Sequence, residues 1–468
     1  MKIVWCMKYF LYFCSMKRMI LTTVCVLALS LQGLAESGKW KVGSGKYPSV
    51  LRTAPLEGEQ KTESGVVVYD SVWREDVKTV QLYRKGAELD FPVLVMGQGG
   101  VLVLEFDILR ADAEELHWRV AHCDRHWMRD GLAPEEFMTG FAEGTVEEHD
   151  FSFTTLKDYV HYRTEVPGGP FSEFTHSGNY ILEVFSPDDD TPPSERLLLT
   201  RRFCVSEQSV AVRAEVGRPY DGVETDRRQE VDVTVGGRGT DVTANEQWLH
   251  VVVQQNGRHD NRRELVTSGR DRGGLAYRQR PQNVFDGGNT FRYFDCSNLR
   301  TPMYNVARVE EYGGEQFVLL RPEEDRSRKH YTTETTLAGG MKVNIWDRDN
   351  PRLEADYVWV NFSLPMAQPM LDGSVYVVGA LTDWRMDSTS RMDYNPKHKA
   401  YTKRLLLKQG YYAYQLLVAG PAKKGFSATA PLEGDHHEAP NRYTIYVYQH
   451  SPSDMAERLL SVTTAMGG

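Results

Sequence analysis

The stretch Leu116-His117-Trp118-Arg119-Val120-Ala121-His122-Cys123-Asp124-Arg125-His126-Trp127 decides how the chain is read. Side chains of a strand alternate between faces. Leu116, Trp118, Val120 and His122 therefore share one face, and His117, Arg119, Ala121 and Cys123 the other. Asp124 opens a turn, where a carboxylate bonds nearby backbone N–H groups, and Trp127 folds back over the sheet. Three histidines, a cysteine and an aspartate invite a zinc reading, but zinc ligands converge to about 2.0–2.3 Å from the ion. His117 and His122 face opposite ways, as do His122 and Cys123. No CxxC or HExxH spacing supports Asp124 and His126 in the turn. The expectation is a structural corner made by His122, Cys123, Asp124 and Trp127, with no metal, no cofactor and no catalytic residue.

Outward from this strand the signals stay β. Gly65–Tyr69, Val77–Tyr83, Val101–Phe106, Tyr159–Arg163, Tyr180–Phe185 and Leu197–Phe203 are short apolar or alternating runs with turn residues between them, the pattern of a β-sandwich. Pro134-Glu135-Glu136-Phe137 reads as one helical turn, with proline at its favoured first position. The run Pro187-Asp188-Asp189-Asp190 with Pro192-Pro193 lacks EF-hand spacing and reads as an exposed connection.

A second set of strands runs from about 209 to 350. Trp248–Val253 enters the Asn256-Gly257 turn pair. In Asn283-Val284-Phe285-Asp286-Gly287-Gly288-Asn289-Thr290-Phe291-Arg292-Tyr293-Phe294-Asp295 the glycines permit positive φ, and Phe291, Tyr293 and Asp295 share a strand face. A phosphate-binding loop would need a helix and Lys-Ser/Thr after the glycines, and neither follows. Arg262, Arg263, Arg270, Arg272, Arg278 and Arg280 form a basic region, read as a solvated face or a docking patch. A third set begins near Asp356. Its order resembles early-set immunoglobulin-like domains, including glycogen-binding modules, whose Gly-x-Phe-x-x-Trp frame is met by Gly379-Ala380-Leu381-Thr382-Asp383-Trp384 with Leu in place of Phe. Trp384 is a candidate glycan-type corner, though a structural corner is favoured because aromatics commonly pack. No Ser-His-Asp order or nucleophile elbow is present.

These sets make an all-β protein of tandem, immunoglobulin-like sandwiches: 40–207, 208–350 and 351–450, followed by a tail, 451–468. At 468 residues, 41% hydrophobic and 25% charged, the chain is globular and too long for one ordinary domain. Met16-Lys17-Arg18, the apolar run Ile20–Leu31 and the small residues at Gly33-Leu34-Ala35 read as a signal peptide over 1–35, with Met1 or Met16 as the start. Loss of that segment removes Lys2, Lys8, Lys17 and Arg18 and no acid, taking the net charge from −9 to −13. That argues against nucleic acid or anionic membrane as a partner. Cys123, Cys204 and Cys296 remain, an odd count with no closed disulfide framework. A Cys123–Cys204 pair and three buried thiols are both open.

His122-Cys123-Asp124-x-x-Trp127 also resembles the corner motif of the type IX secretion system plug protein family of Bacteroidetes, long known as a domain of unknown function. Thr79–Leu89, Asp158–Arg163 and Ser177-Gly178-Asn179-Tyr180-Ile181-Leu182 fit the same pattern around it. Asn283, Gly287, Gly288, Phe291 and Tyr293 resemble its central signature, and Glu433–Glu438 before Asn441–Tyr448 its end. The resemblance runs from about Val77 to Tyr448. It implies a non-enzymatic periplasmic protein, monomeric by itself, held at the inner face of the outer membrane. Its partner would be the giant outer-membrane β-barrel translocon, which it closes when no substrate is engaged. No contact residues carry over. The competing reading is an exported carbohydrate-binding sandwich protein, resting on Trp384 and the last domain.

Overall fold

Strand Leu102–Ile108 is buried along its whole length, and the cause sets the architecture. Leu102, Leu104, Phe106 and Ile108 enter the core of their own sandwich. On the opposite face, Glu105 and Asp107 meet Arg352 and Lys408 of another. The computed structural model describes residues 69–468 except 170, 188–195, 221, 223, 224, 239, 240, 273, 335, 372 and 421–426. The expected signal peptide, most of the strand expected at 65–69 and the acidic run at 188–190 lie outside the described residues.

The described residues are nearly all β and form three sandwiches. In the first, one sheet orders Ser71–Val72, Leu197–Ser206, Gly178–Phe185, His117–Cys123 and Glu143–Thr145, with Val93–Val95 parallel to Leu197–Ser206. It packs on a sheet of Val77–Arg84, Leu102–Ile108, Val160–Val166 and Glu148–Phe151. The middle sandwich sets Val210–Gly217, Arg228–Gly237, Gly274–Tyr277 and Gly269–Asp271 against Arg263–Leu265, Leu249–Gln255, Arg442–Gln449 and Arg458–Met466. The third sets Arg292–Asp295, Gly410–Ala419, Met341–Val343 and Ser374–Val378 against Val306–Tyr312, Glu315–Leu320, Tyr357–Pro365, Ala400–Lys408 and Asp393–Asn395.

The pairing departs from the expected consecutive blocks. Gln255 pairs with Tyr443 and Leu249 with Gln449, so the middle sandwich closes only after the chain has built the third. The third is thus inserted between Val284–Asp286, which pairs with Arg228–Gly237, and Arg442–Gln449. Residues expected as a tail supply the strand Arg458–Met466. Alternation identifies a strand and its faces, but carries no label for a partner nearly two hundred residues away.

Candidate functional site

The corner 122–127 lies where the first sandwich meets the middle one. Strand His117–Cys123 alternates as its sequence dictates, with Trp118, Val120 and His122 buried. Asp124 Oδ1 accepts from the backbone N–H groups of His126 (2.8 Å) and Met128 (2.9 Å). Trp127, at φ 63°, is 5% exposed. Its indole joins Cys204, Val252, Tyr446, Tyr448 and Leu459 in an apolar cluster shared by both sandwiches. The far side of the turn is clamped by Glu457, which accepts from the backbone N–H and the guanidinium of Arg125.

His122, Cys123 and Asp124 do not converge. His122 Nδ1 is 2.6 Å from Asp130 Oδ2 and Nε2 is 3.3 Å from the Ser177 carbonyl, so both ring nitrogens are engaged. Burial alone would raise the Asp130 carboxyl, but the hydrogen bond from His122 holds it below the usual range. A Cβ on Gly178 would come within 2.0 Å of His122 Nε2, which explains the glycine of the Ser177-Gly178-Asn179 run. Cys123 and Cys204 are free thiols, and burial pushes both up. Both lie opposite Asn179, on the two strands flanking it. Two strand spacings put their Cα atoms roughly 10 Å apart, beyond disulfide reach. The open alternative thus resolves to unpaired thiols. Among the described residues no group of three His, Cys, Asp or Glu is placed to hold a metal.

Asn179 ties the corner together. Its amide donates to the Asp124 carbonyl (2.8 Å), and its oxygen accepts from Cys204 and from Tyr448 of the middle sandwich (2.9 Å). The run containing it was conspicuous in sequence, but its role was not, because one of its partners lies 269 residues away. Glu457 had no local signal at all.

Beside the corner a cleft of about 610 Å³ opens where all three sandwiches meet, lined by Trp127, Arg202, His259, Asp383, Trp384 and Tyr446. The Arg202 guanidinium lies over the Trp127 ring, 4.8 Å from its centroid, and touches His259. Burial, then the charge of Arg202, holds His259 well below the usual imidazole range, so it is neutral. Arg201 Nη2 donates to Asp383 Oδ1 (2.9 Å), linking the first and third sandwiches. Trp384 is half-buried. A Cβ on Gly257 or Gly339 would fall 2.3 or 2.2 Å from its ring, and Phe291 meets it edge-on at 5.9 Å. The indole is a strut between the middle and third sandwiches.

The central signature meets the chain's closing loop. Asn283 is buried and donates to Asp232 Oδ1 (2.9 Å). At Gly287 a Cβ would come 2.2 Å from the His436 carbonyl. Gly288, at φ 62°, donates its N–H to Asp435 Oδ1 (2.9 Å). Tyr293 stacks on Tyr304 and Tyr411, with centroids 4.0 and 5.3 Å apart. The neighbouring Glu433 is fully buried and accepts from Arg292 (2.9 Å), Arg326 and the Leu416 N–H (2.6 Å). Burial opposes its ionisation, yet the charges of Arg292 and Arg326 hold its carboxyl at about 2.

The basic region at 262–280 is largely internal pairing rather than a free face. Arg262 donates to the Arg125 carbonyl. Arg263 lies over Phe285 (4.6 Å), Arg270 pairs with Glu246 (2.9 Å) and Arg278 with Asp271 (2.9 Å).

The first sandwich, corner included, is also the part that matches a known family. Residues 77–207 match the model of the type 9 secretion system plug protein 1st domain. Over those residues the chain is similar to the first domain of type IX secretion system plug proteins. That match points to a role connected with type IX secretion. A crystal structure of a hypothetical protein from Parabacteroides merdae superposes with a TM-score of 0.81 at 29% identity, covering 86% of this chain and 100% of that one. Among curated proteins none matches this sequence. The plug-family match ends at 207, so Asn283, Gly287, Gly288, Phe291, Tyr293 and Trp384 lie beyond it.

Proposed function

We infer that the chain is a periplasmic plug: it docks on the giant outer-membrane β-barrel translocon of type IX secretion and closes its periplasmic end while no substrate is engaged. The observation that carries this reading is the match to the plug-family first domain at 77–207. Physical features agree with it. Occlusion needs a body that holds its shape, and the sandwiches are fastened by the apolar cluster around Trp127 and by the buried Asp107–Lys408 pair. A reversible plug needs a partly polar surface, as non-obligate interfaces are about as apolar as ordinary surface. Its task is obstruction rather than catalysis.

Deletion of the gene should leave the translocon assembled but leaky. Uptake of antibiotics too large for porins should rise, while secretion continues at least in part. The tagged protein should co-purify with the translocon barrel from native membranes. Unchanged permeability together with absence of the barrel from the purified material would sink the reading.

A further inference from the structure

At one tip of the first sandwich two phenylalanines stand in solvent: Phe141 is 77% exposed and Phe171 87%. They are not scattered. Met138–Thr139 pairs antiparallel with Glu173–Phe174, Met138 opposite Phe174 and Thr139 opposite Glu173. The ladder ends there, but Gly140 still lies beside Ser172, so Phe141 and Phe171, each one residue further on, stand at the same tip. A Cβ on Gly140, at φ 80°, would lie 2.4 Å from Ser172 Oγ and 3.0 Å from its Cα. Thr139 and Phe171 are further tied by a hydroxyl-to-carbonyl bond of 3.5 Å. Below the tip, Phe137, Met138 and Phe174 are buried in the sandwich core. The two phenylalanines therefore stand just beyond a short ribbon that is rooted in the core.

The surroundings of the pair are acidic. Glu135, Glu136, Glu143 and Glu173 are all exposed. No lysine or arginine occurs from 130 to 148 or from 167 to 177. Isolated exposed apolar residues are ordinary, whereas two exposed phenylalanines at one tip with carboxylates close by in sequence have the anatomy of a contact site. Carboxylates beside it disfavour anionic lipid, whose headgroups they repel. They favour basic protein.

We propose that this tip is a docking knob. Its occupant is a protein surface with an apolar notch bordered by lysine and arginine, and Phe141 and Phe171 are its anchors. The inference deepens the plug reading and rests on it: the notch belongs to the translocon. Rigid aromatic anchors carry a large share of the binding energy at such contacts, and the carboxylate rim sets orientation and encounter rate.

The test uses the full chain in its native cells. In one arm, the photo-crosslinker benzoylphenylalanine replaces Phe141 or Phe171, with replacement of Tyr312, 81% exposed on the third sandwich, for comparison. In the other, Phe141→Ser/Phe171→Ser and Glu143→Lys/Glu173→Lys are tagged and purified, with thermal unfolding as the check on folding. The expected result is a protein adduct with the translocon at 141 and 171. Recovery of the barrel should fall about tenfold or more for the phenylalanine pair and by a smaller factor for the charge reversal. An adduct at 141 and 171 with some other protein and none with the translocon overturns the knob, while recovery of the barrel with the wild-type chain decides the plug reading separately. No adduct at either position overturns the knob, and recovery of the barrel with the wild-type chain then shows that the plug reading stands without it. Wild-type binding to protein-free anionic vesicles that the phenylalanine variant loses also overturns the proposal.

Discussion

Toward the middle sandwich the first sandwich turns Trp127 and Cys204, which enter an apolar cluster with Val252, Tyr446, Tyr448 and Leu459. Toward the third it turns Asp107, whose oxygens accept from Lys408 (2.6 Å), Tyr357 (2.7 Å) and His161 (2.7 Å). Both junctions are buried, but they rest on different physics. Burial of apolar area is non-directional and scales with the area removed from water. A buried ion pair gains little over well-packed apolar residues, yet breaking it strands a charge. The apolar junction therefore supplies adhesion, and the charged one fixes a single relative placement. The Lys408 ammonium also caps the Arg352 carbonyl (2.6 Å) and lies 4.1 Å from the Tyr159 ring centroid, so few other placements would satisfy it.

The largest expected effect comes from breaking the charged junction on one side only. Lys408→Met removes the main partner of a carboxylate that is 1% exposed and should cost about 5 kcal/mol in urea unfolding. Adding Asp107→Asn should recover much of that loss, because no uncompensated charge then remains. A double variant as unstable as the single one would mean that the packing of the lysine stem, not the pair, carries the junction. Trp127→Ala comes next, at about 3–4 kcal/mol. No second substitution should rescue it, since the loss is area and cavity rather than a stranded charge.

Acid separates the two kinds of contact. Burial would raise the Asp107 carboxyl, but Lys408 and His161 hold it below the usual range. Glu433, held at about 2 by Arg292 and Arg326 against the same opposition, behaves alike. A carboxyl depressed on folding stabilises the protein above its unfolded value, and that contribution disappears as pH falls through the folded one. For Glu433 the window runs from about pH 4.5 down to about 2, and the loss across it is about 3 kcal/mol. Unfolding free energy measured across that window should fall less steeply in Glu433→Gln than in the wild type. Equal slopes would show that Glu433 is not the group responsible.

The corner was legible in sequence because its determinants are local. Strand alternation placed Trp118, Val120 and His122, and a turn carboxylate placed Asp124. Cys123 shows where that logic stops. It belongs to the face that alternation leaves outward, yet it is 1% exposed because further structure covers that face. The closing strand Arg458–Met466 lies in the segment expected as a tail, because the adjacency to Arg442–Gln449 that makes it a sheet strand is set by pairing and not by its own sequence. Lys408 could not be told from a surface lysine, since the carboxylate it meets lies 301 residues away. The plug-family resemblance was legible for a different reason: it rests on short motifs, and four of them fall within the residues 77–207 that match.

The smallest effects sharpen the same contrast within the arginine-rich segment, where composition makes all six residues look alike. Arg270 is 60% exposed and pairs with Glu246 at the surface of its own sandwich. Such pairs contribute little, because water screens them and two long side chains lose freedom in making them. Arg270→Ala should change stability by less than about 0.5 kcal/mol. Arg262 reaches across the junction instead. Its guanidinium donates to the Arg125 carbonyl in the corner turn and lies 3.4 Å from the Tyr448 hydroxyl. Arg262→Ala removes a charged donor and leaves a carbonyl of the corner without that partner, a change of about 2 kcal/mol. Urea unfolding of the two variants side by side measures the difference. Equal values would mean that the corner carbonyl is satisfied by water, and that Arg262 adds nothing to a junction already held by the apolar cluster, Asn179–Tyr448 and Arg125–Glu457.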